Sequence, residues 1–485
     1  MPHTLRGALR LTLALTASAV ASSAAAQAPP TASASPSAPA SAAAVPPAPA
    51  VAARVDSLAA AFLREGPAVG VTVAVVRGGD TLVHEGYGMA DAAHRRAAGP
   101  QTVYRVGSVT KQFTAAAILQ LVEQQRLALD DTLGAFLPHY PQWGRVTVRQ
   151  LLNHTSGIPS YTASAKWRAR VADHLAPDSV LAFVASDTFD FAPGTRYRYN
   201  NTGYFLLGRI LERVTGTPYD RYVAERFFRP LGMRSASYCP DSPADSTHAA
   251  GYDKRGPNET APASALSMTS PYAAGALCMS TGDFLRWQTA LTSGRIVRPA
   301  TFARMARSDT LADGNPTNYG WGLAPGRIED HRTIEHGGDI HGFSVQQLWL
   351  PDDSLRVVVF ANTLGSNPGA LARNVARAAL GLAPVQPTRL PPAVALSAAE
   401  RARYVGRYTL TVPDRTLGFT VAERDGKLFG QGEGQGPFEL IPIGDHAFGV
   451  PFDPAMRFVF DVAAERATGF TMRQGGGAFR GTRVE

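Results

Sequence analysis

Apolar residues in the middle of the chain outline two predicted β-hairpins. Apolar runs at 71–76 and 81–87 flank a Gly-Gly-Asp turn, which predicts the first hairpin. The runs at 345–350 and 355–361 flank a Pro-Asp-Asp turn, which predicts the second. The two ends of this middle segment are therefore expected to contribute strands.

Helical spacing dominates between and after these hairpins. Apolar residues recur every three to four positions over 110–127, 204–215 and 370–382. Strands at both ends with helices between them predict an α+β fold, in which an antiparallel sheet with flanking helices lies beside a helical insert. We expect this fold to occupy residues 53–382.

The pattern changes after a proline-rich stretch at 383–396, which we interpret as a linker. Ser397 and Glu400 have the spacing of a helix capping box. Apolar and polar residues then alternate in several short runs, and Asp-Gly at 425–426 separates two runs as a hairpin turn would. Residues 397–485 are therefore predicted to form a small antiparallel sheet or barrel.

The N-terminal pattern is that of an exported protein. Residues 1–26 carry two arginines, an apolar run and then small residues, which is typical of a secretory signal peptide. The run is short for a membrane span, so we expect no stable span after signal cleavage; an uncleaved anchor is the alternative. Residues 27–52 are nearly all Ala, Pro, Ser and Val, which predicts a disordered tether. The protein is expected to be periplasmic or secreted.

Composition and charge limit the classes of partner that this chain is expected to bind. The chain has 485 residues, of which 45% are hydrophobic and 18% charged, typical of two or three globular domains. A net charge of +8 could indicate a nucleic-acid partner, but the basic residues are scattered and interleaved with acids, so none is expected. We expect a small-molecule or peptide substrate. The pattern leaves the oligomeric state open.

The chain has two cysteines, Cys239 and Cys278. In an oxidising compartment they allow a disulfide, whereas two buried free thiols are the alternative. A structural zinc site built on a pair of cysteines is not expected there.

Ser108 and Lys111 stand at the start of the predicted helix at 110–127, in the pattern Ser-x-x-Lys. A spacing of three places both side chains on one helical face. A serine hydroxyl becomes a good nucleophile when a base takes its proton, and a lysine that burial keeps neutral can do so. The structural alternative is a capping serine beside a solvated lysine.

Two further stretches carry side chains suited to the same chemistry. Tyr199 could move a proton, and Asn201 could hold both the lysine and a substrate carbonyl; a core tyrosine and a cap asparagine are the alternatives. His336, Gly337 and Gly338 lie on a predicted edge strand, where glycine lets a substrate backbone approach.

The residue that follows, Asp339, could complete an oxyanion hole with its backbone N–H. His336 could add a hydrogen bond or a partial positive charge. The structural alternative for this stretch is a bulge at a strand end.

Taken in order, these motifs resemble the serine β-lactamase and penicillin-binding-protein family. The resemblance rests on Tyr-Arg-Val-Gly-Ser-Val-Thr-Lys at 104–111, Leu-Leu-Asn-His-Thr-Ser-Gly at 151–157, Tyr-Asn-Asn at 199–201, Tyr-Gly-Trp-Gly at 319–322 and His-Gly-Gly at 336–338. It runs from about residue 51 to 382. The C-terminal strands resemble the lipocalin-like domains appended to some relatives.

The resemblance implies a role for each matched residue. Ser108 would be the acylated nucleophile, Lys111 its proton partner, Tyr199 a general base and acid, and Asn201 an orienting residue. No cofactor is implied. Many members begin the third motif with lysine, so His336 instead resembles D-alanyl-D-alanine carboxypeptidase, D-aminopeptidase and esterase relatives.

The predicted function is an exported serine hydrolase that acts on an amide, ester or lactam carbonyl through an acyl-serine intermediate, with a D,D-peptidase-, D-aminopeptidase- or esterase-like activity. Four other functions compete with it. A class C-like β-lactamase is the alternative within the family, and a non-catalytic penicillin-binding or scaffold protein is the alternative outside enzymes. The acids and histidines at 330–341 could suggest a metal hydrolase, but their spacing is wrong for a helical zinc motif, and no metal is expected. A conventional Ser-His-Asp hydrolase would carry Gly-x-Ser-x-Gly, which the sequence lacks.

Overall fold

The chain forms an α+β unit followed by an antiparallel β-barrel, as the apolar spacing predicts. The first compact unit ends at Pro384 and the second begins at Val385. The predicted signal peptide at 1–26 lies outside the described residues. The computed structural model describes residues 46–256, 259–385, 390–412, 415–433, 436–451, 453–474 and 477–484.

The elements of the first unit are numbered in chain order. The strands are β1 (Gly70–Arg77), β2 (Asp80–Asp91), β3 (Arg96–Ala97), β4 (Tyr104–Arg105), β5 (Ser237–Tyr238), β6 (Tyr252–Lys254), β7 (Thr260–Pro262), β8 (Leu277–Met279), β9 (Ala324–Ile328), β10 (His331–Ile340), β11 (Phe343–Leu350), β12 (Leu355–Ala361) and β13 (Thr363–Leu364). The helices are α1 (Ala48–Glu65), α2 (Thr110–Glu123), α3 (Leu133–Phe136), α4 (Val148–Leu152), α5 (Ala165–Arg168), α6 (Pro177–Leu181), α7 (Asn201–Thr215), α8 (Tyr219–Val223), α9 (Arg229–Leu231), α10 (Tyr272–Gly275), α11 (Thr281–Thr292), α12 (Pro299–Met305) and α13 (Pro368–Leu380).

Seven of the described strands form the central sheet, in the order β3-β2-β1-β12-β11-β10-β9. Both predicted hairpins are confirmed, as β1–β2 and β11–β12. Strand β1 pairs antiparallel with β12, with Val73 opposite Val359, so the sheet joins the two ends of the unit.

Helices cover both faces of this sheet. On one face α1 and α13 pack on residues such as Val73 and Val357. On the other face Val345 and Phe360 belong to the larger core that includes residues of α2, α7 and α11. Burial on both faces explains why the central strands appear as continuous apolar runs rather than alternating ones.

The helix boundaries differ from the predicted ones for local reasons. Helix α2 ends at Glu123 rather than 127, because Gln125 takes a left-handed backbone conformation with φ of 57°. Helix α7 begins at Asn201 rather than 204, because the side chain of Asn200 caps it by accepting the Gly203 N–H at 2.8 Å.

Strand β10 carries the His-Gly-Gly stretch and is only partly an edge strand. It pairs with β11 from Ile334 to Ile340, but with β9 only as far as Glu335. Residues 331–335 are covered by β9, whereas residues 336–340 lie beyond the pairing with β9, so the prediction that His336, Gly337 and Gly338 lie on an edge strand is confirmed.

Cys239 and Cys278 are joined by a disulfide across a sequence separation of 39 residues. Cys278 lies in β8, which pairs with β4 and β5 in a small sheet. The Val106 N–H donates to the Leu277 carbonyl at 3.0 Å, directly after β4. The disulfide thus supports the small sheet from which the chain enters the Ser108 turn.

The second unit is a closed antiparallel barrel preceded by a short helix. Its elements are α14 (Ala398–Ala402), β14 (Gly406–Val412), β15 (Arg415–Arg424), β16 (Lys427–Gly432), β17 (Phe438–Gly444), β18 (Ala447–Val450), β19 (Asp453–Ala463), β20 (Arg466–Gln474) and β21 (Gly477–Arg483). The capping box of Ser397 and Glu400 is confirmed. Tyr408 pairs with Arg483 to close the barrel, and aromatic rings of Phe419, Phe458 and Phe470 fill it.

The expected tether at 27–52 is wrong at its C-terminal end. Helix α1 begins at Ala48, and Val51 is fully buried against the central sheet, because this valine belongs to the apolar face of the helix. The expected linker at 383–396 is also shorter at its end, where the Val394 N–H donates to the Pro442 carbonyl of β17 at 2.9 Å. Among the described helices, none combines the length and apolar character that a membrane span requires.

Candidate active site

Ser108 lies in a single 3₁₀ turn, Gly107–Val109, that leads into α2. Gly107 adopts φ of 49°, a left-handed conformation that favours glycine. A Cβ at Gly107 would lie 3.0 Å from the Asp339 carbonyl oxygen, so the turn packs directly on the backbone of β10. The nucleophile candidate is thereby held at the uncovered part of that strand.

Lys111 is fully buried and connects three parts of the chain. Its Nζ donates to Asn201 Oδ1 at 2.9 Å and to the Ala274 carbonyl at 2.9 Å, and it lies 3.0 Å from Ser108 Oγ, which leaves the lone pair of a neutral amine for the serine hydroxyl. Burial holds the pKa of this amine well below its ordinary value. No carboxylate is paired with it among the described residues, so no ion pair offsets the cost of charging it.

Asn201 is the first residue of α7, and its amide is held at both ends. Oδ1 accepts from Lys111, while Nδ2 donates to Thr162 Oγ1 at 3.3 Å. The Asn201 N–H donates to Ser160 Oγ, also at 3.3 Å. The 160–162 segment thus fixes the orientation of the side chain that holds Lys111.

The Tyr199 ring lies 4.7 Å from Lys111 Nζ. Its hydroxyl is buried and makes no hydrogen bond of normal geometry within the described chain. Burial raises the pKa of this phenol well above its ordinary value, and the nearby Ser108 hydroxyl offsets only part of the rise. Tyr199 is therefore a protonated phenol at neutral pH, suited to donate a proton rather than to begin as a base.

His336 is 7% exposed, and both of its ring nitrogens are occupied. Nδ1 lies 2.6 Å from the Gly337 carbonyl, which can only accept, so Nδ1 carries the proton and Nε2 accepts from the Tyr319 hydroxyl at 2.8 Å. Burial lowers the pKa of His336 to about 4. The imidazole is neutral at physiological pH, which argues against the positive charge considered from the sequence.

The two glycines after His336 have different surroundings. A Cβ at Gly338 would lie 2.1 Å from the Val106 carbonyl oxygen and 3.1 Å from the Ser108 nitrogen. A Cβ at Gly337 would meet the end of the Gln346 side chain at 2.8 Å. Gly338 is thus required by backbone approach to the nucleophile turn, whereas Gly337 faces a side chain that can move.

His154 and Tyr319 also belong to the site, and the sequence motifs contain both without indicating a role. His154 is 1% exposed, and its Nδ1 accepts the Asn200 N–H at 3.1 Å. Its ring centroid lies 4.3 Å from that of Tyr199 and 4.7 Å from that of Tyr319. The rings of His154 and Tyr319 therefore pack against the Tyr199 side chain.

The acids and histidines of 330–341 do not converge. His331 contacts Asp353, and His341 Nδ1 lies 3.2 Å from the Ser264 carbonyl, while His336 contacts Tyr319. In the described part of the chain, no three His, Cys, Asp or Glu side chains lie close enough together to hold a metal ion.

A serine and a buried lysine at a helix start, next to an antiparallel strand and a Tyr-x-Asn segment, define the serine β-lactamase and transpeptidase class of fold. Residues 55–382 match the family described as Beta-lactamase. The chain belongs to this family, and the resemblance found in the sequence is confirmed.

The D-aminopeptidase of Brucella ovis is 32% identical to this chain over 327 residues, which are 66% of this chain and 61% of the relative. This chain therefore spans less than two thirds of the length of that relative. A D-stereospecific amidohydrolase from Streptomyces sp. is 29% identical, with a TM-score of 0.57 over 66% of this chain and 95% of that chain.

The octameric penicillin-binding protein homologue from Pyrococcus abyssi gives a TM-score of 0.64. The match covers 89% of this chain and 99% of that chain at 23% identity. At this identity the likeness concerns the fold alone.

Proposed function

We propose that this chain is a serine hydrolase that cleaves amides of D-amino acids or D-peptides through an acyl-serine intermediate. The observation that carries the proposal is the fully buried Lys111, whose Nζ contacts Ser108 Oγ at 3.0 Å and has no acidic partner in the described chain. A neutral amine in this position can accept the serine proton. The names of the D-aminopeptidase and amidohydrolase relatives support the substrate class.

In the first half of the reaction, Ser108 Oγ forms a bond to the substrate carbonyl carbon while its proton passes to Lys111. The backbone N–H groups of Ser108 and Asp339 would hold the developing oxyanion. The C–N bond then breaks, and the leaving amine takes a proton from Tyr199, which regains one from Lys111. The products of this half are the free amine and the Ser108 ester.

In the second half, water attacks the Ser108 ester. The neutral Lys111 takes the water proton, directly or through Tyr199, and returns it to Ser108 Oγ as the ester bond breaks. Asn201 keeps Lys111 in place through both halves. His336 acts on the substrate side as a neutral group that orders the strand at Gly337 and Gly338.

The test is turnover of D-alanine p-nitroanilide and its L-enantiomer by wild type and by Ser108→Ala, with the exposed Ser57→Ala as a matched control. We expect turnover of the D-substrate that depends on Ser108 and persists in the control variant. If the protein hydrolyses a penicillin but neither anilide, the result would favour a class C-like β-lactamase. Binding of penicillin without any turnover would favour a non-catalytic role.

We also propose that the protein is exported to the periplasm or secreted. The pattern of residues 1–26 supports export, and the disulfide between Cys239 and Cys278 fits an oxidising compartment. The N-terminal sequence of the protein recovered outside the cytoplasm tests this proposal. An N-terminus near residue 27 is expected, whereas full-length protein confined to the cytoplasm would contradict it.

A further inference from the structure

Asp339 presents a carboxylate beside the nucleophile turn. Its backbone packs on Gly107, with the Asp339 oxygen, carbon and nitrogen 3.0–3.2 Å from the position of a Cβ there. The side chain is exposed, and Oδ1 accepts from Ser344 Oγ at 2.5 Å. Ser344 Oγ in turn accepts the Gly365 N–H at 3.0 Å, so the carboxylate is held by a fixed donor.

This carboxylate has no cationic partner among the described residues. Arg198 of the neighbouring Tyr199 segment does not supply one, since it is paired with Asp190. Neighbouring protein partly desolvates the Asp339 carboxylate, which raises its pKa. The negative charge of Asp339 in turn raises the pKa of Tyr199. An exposed acid that lacks a cationic partner and is already partly desolvated gains from a cation delivered by a ligand.

Burial disfavours the charged forms of the other titratable groups of the site. Burial lowers the pKa of Lys111, His154 and His336, and it raises the pKa of Tyr199. Asp339 is therefore the charged residue of the described β10 strand that lies closest to the nucleophile, and its charge is negative. A substrate that brings a positive charge to this position is favoured over one that brings a negative charge.

We infer that the Asp339 carboxylate is a specificity-determining group that binds the free α-ammonium of the acyl donor. The inference rests on the proposed function and narrows its substrates to those with an unblocked N-terminal amine. In such a substrate the ammonium is bonded to the carbon next to the attacked carbonyl, within about 3 Å of the carbonyl oxygen. An oxyanion held by the Asp339 N–H therefore brings the ammonium close to the carboxylate of the same residue.

The experiment compares three p-nitroanilides that differ only at the amine: D-alanine, N-acetyl-D-alanine and N-succinyl-D-alanine. The kcat/KM values are measured for wild type, Asp339→Asn and Asp330→Asn. The last is a matched control, since Asp330 is a fully exposed acid in the turn before β10. Asp339→Asn keeps the backbone N–H and removes only the charge.

We expect wild type to prefer the free amine over the acetyl substrate by at least about tenfold, as a charged hydrogen bond provides, and to disfavour the succinyl substrate further. Asp339→Asn should reduce the preference for the free amine by about tenfold or more, whereas Asp330→Asn should preserve it.

Equal kcat/KM values for the free and acetylated substrates in wild type would overturn the inference without any variant. A preference that Asp339→Asn leaves intact would also overturn it. Turnover that survives in Ser108→Ala would instead contradict the proposed function. The protein could also react with a fluorophosphonate at Ser108 and yet cleave none of the anilides. That result would support Ser108 as the nucleophile and overturn the inference about the substrate amine.

Discussion

The side-chain nitrogen of Lys111 lies 3.0 Å from Ser108 Oγ, and the same nitrogen also contacts the Ala274 carbonyl. The lysine is fully buried, which lowers its pKa and favours the neutral amine that can accept a proton. Removing the amine would take away the base and leave the Asn201 and Ala274 oxygens without their donor.

Lys111→Met and Tyr199→Phe are each expected to lower kcat by roughly 10²–10⁴-fold, the usual contribution of a general acid or base. The double variant should be scarcely worse than the more affected single variant, because the two groups form one proton relay. Steady-state kinetics on an anilide substrate measures this, with the exposed Lys427→Met in the barrel as the lysine control. Additive effects would show that the two groups act independently.

Gly338→Ala should lower kcat/KM by at least about 10²-fold, because a displaced nucleophile is poorly aligned with the carbonyl. The new methyl group would lie 2.1 Å from the Val106 carbonyl oxygen, which is backbone and must shift together with the Ser108 turn. Gly337→Ala should cost much less, since the Gln346 side chain that it meets can move aside. Equal losses in both variants would contradict this account.

His336 should make the fold sensitive to acid. The pKa of His336 is about 4 in the folded chain and has its ordinary value of 6.5 in the unfolded chain, so the unfolded state binds more protons between these values. The stabilising effect of the neutral imidazole is present above pH 6.5 and is lost as the pH falls towards 4. The loss is about 3 kcal/mol, at 1.36 kcal/mol for each pH unit.

The measurement for His336 is urea unfolding of wild type and His336→Gln at pH 7 and pH 4. Wild type should lose about 3 kcal/mol more stability between the two pH values than the variant, which has no group to protonate there. An equal pH dependence would mean that His336 is not the group that titrates.

Breaking the disulfide should destabilise the first unit. Closing a loop over the separation of 39 residues contributes about 4 kcal/mol by chain entropy. Urea unfolding of the oxidised protein and of the Cys239→Ala, Cys278→Ala double variant measures the difference. A double variant as stable as the oxidised protein would show that the bond adds nothing to the packing of β8.

The sequence was sufficient to predict the features that depend on local spacing. The β1–β2 hairpin follows from apolar runs around a glycine turn, and the meeting of Ser108 with Lys111 follows from the geometry of one helical turn. The alternation at the end of the chain predicted strands. Closure into a barrel depends on pairs such as Tyr408 with Arg483, which local spacing does not encode.

Features that depend on contacts between distant segments could not be predicted. The pKa of Lys111 is lowered because the chain buries it, and the residues that contact it in α7 and α10 include Ala274, which lies 163 positions away. The Tyr319 hydroxyl donates to Nε2 of His336, and the Tyr-Gly-Trp-Gly motif gives no signal of that contact. The Asp339 N–H was predicted to contribute to an oxyanion hole, but the exposure of the carboxylate and its lack of a cationic partner are visible only in the folded chain.

The central claim is that Ser108 is an activated nucleophile. The most direct measurement is the intact-protein mass after brief exposure to a small uncharged fluorophosphonate, followed by peptide mapping. Wild type should gain one phosphonyl group on Ser108, whereas Ser108→Ala, with an unchanged circular dichroism spectrum, should gain none. Labelling of the Ser108→Ala variant to the same extent, or no labelling of the folded wild type, would contradict the account.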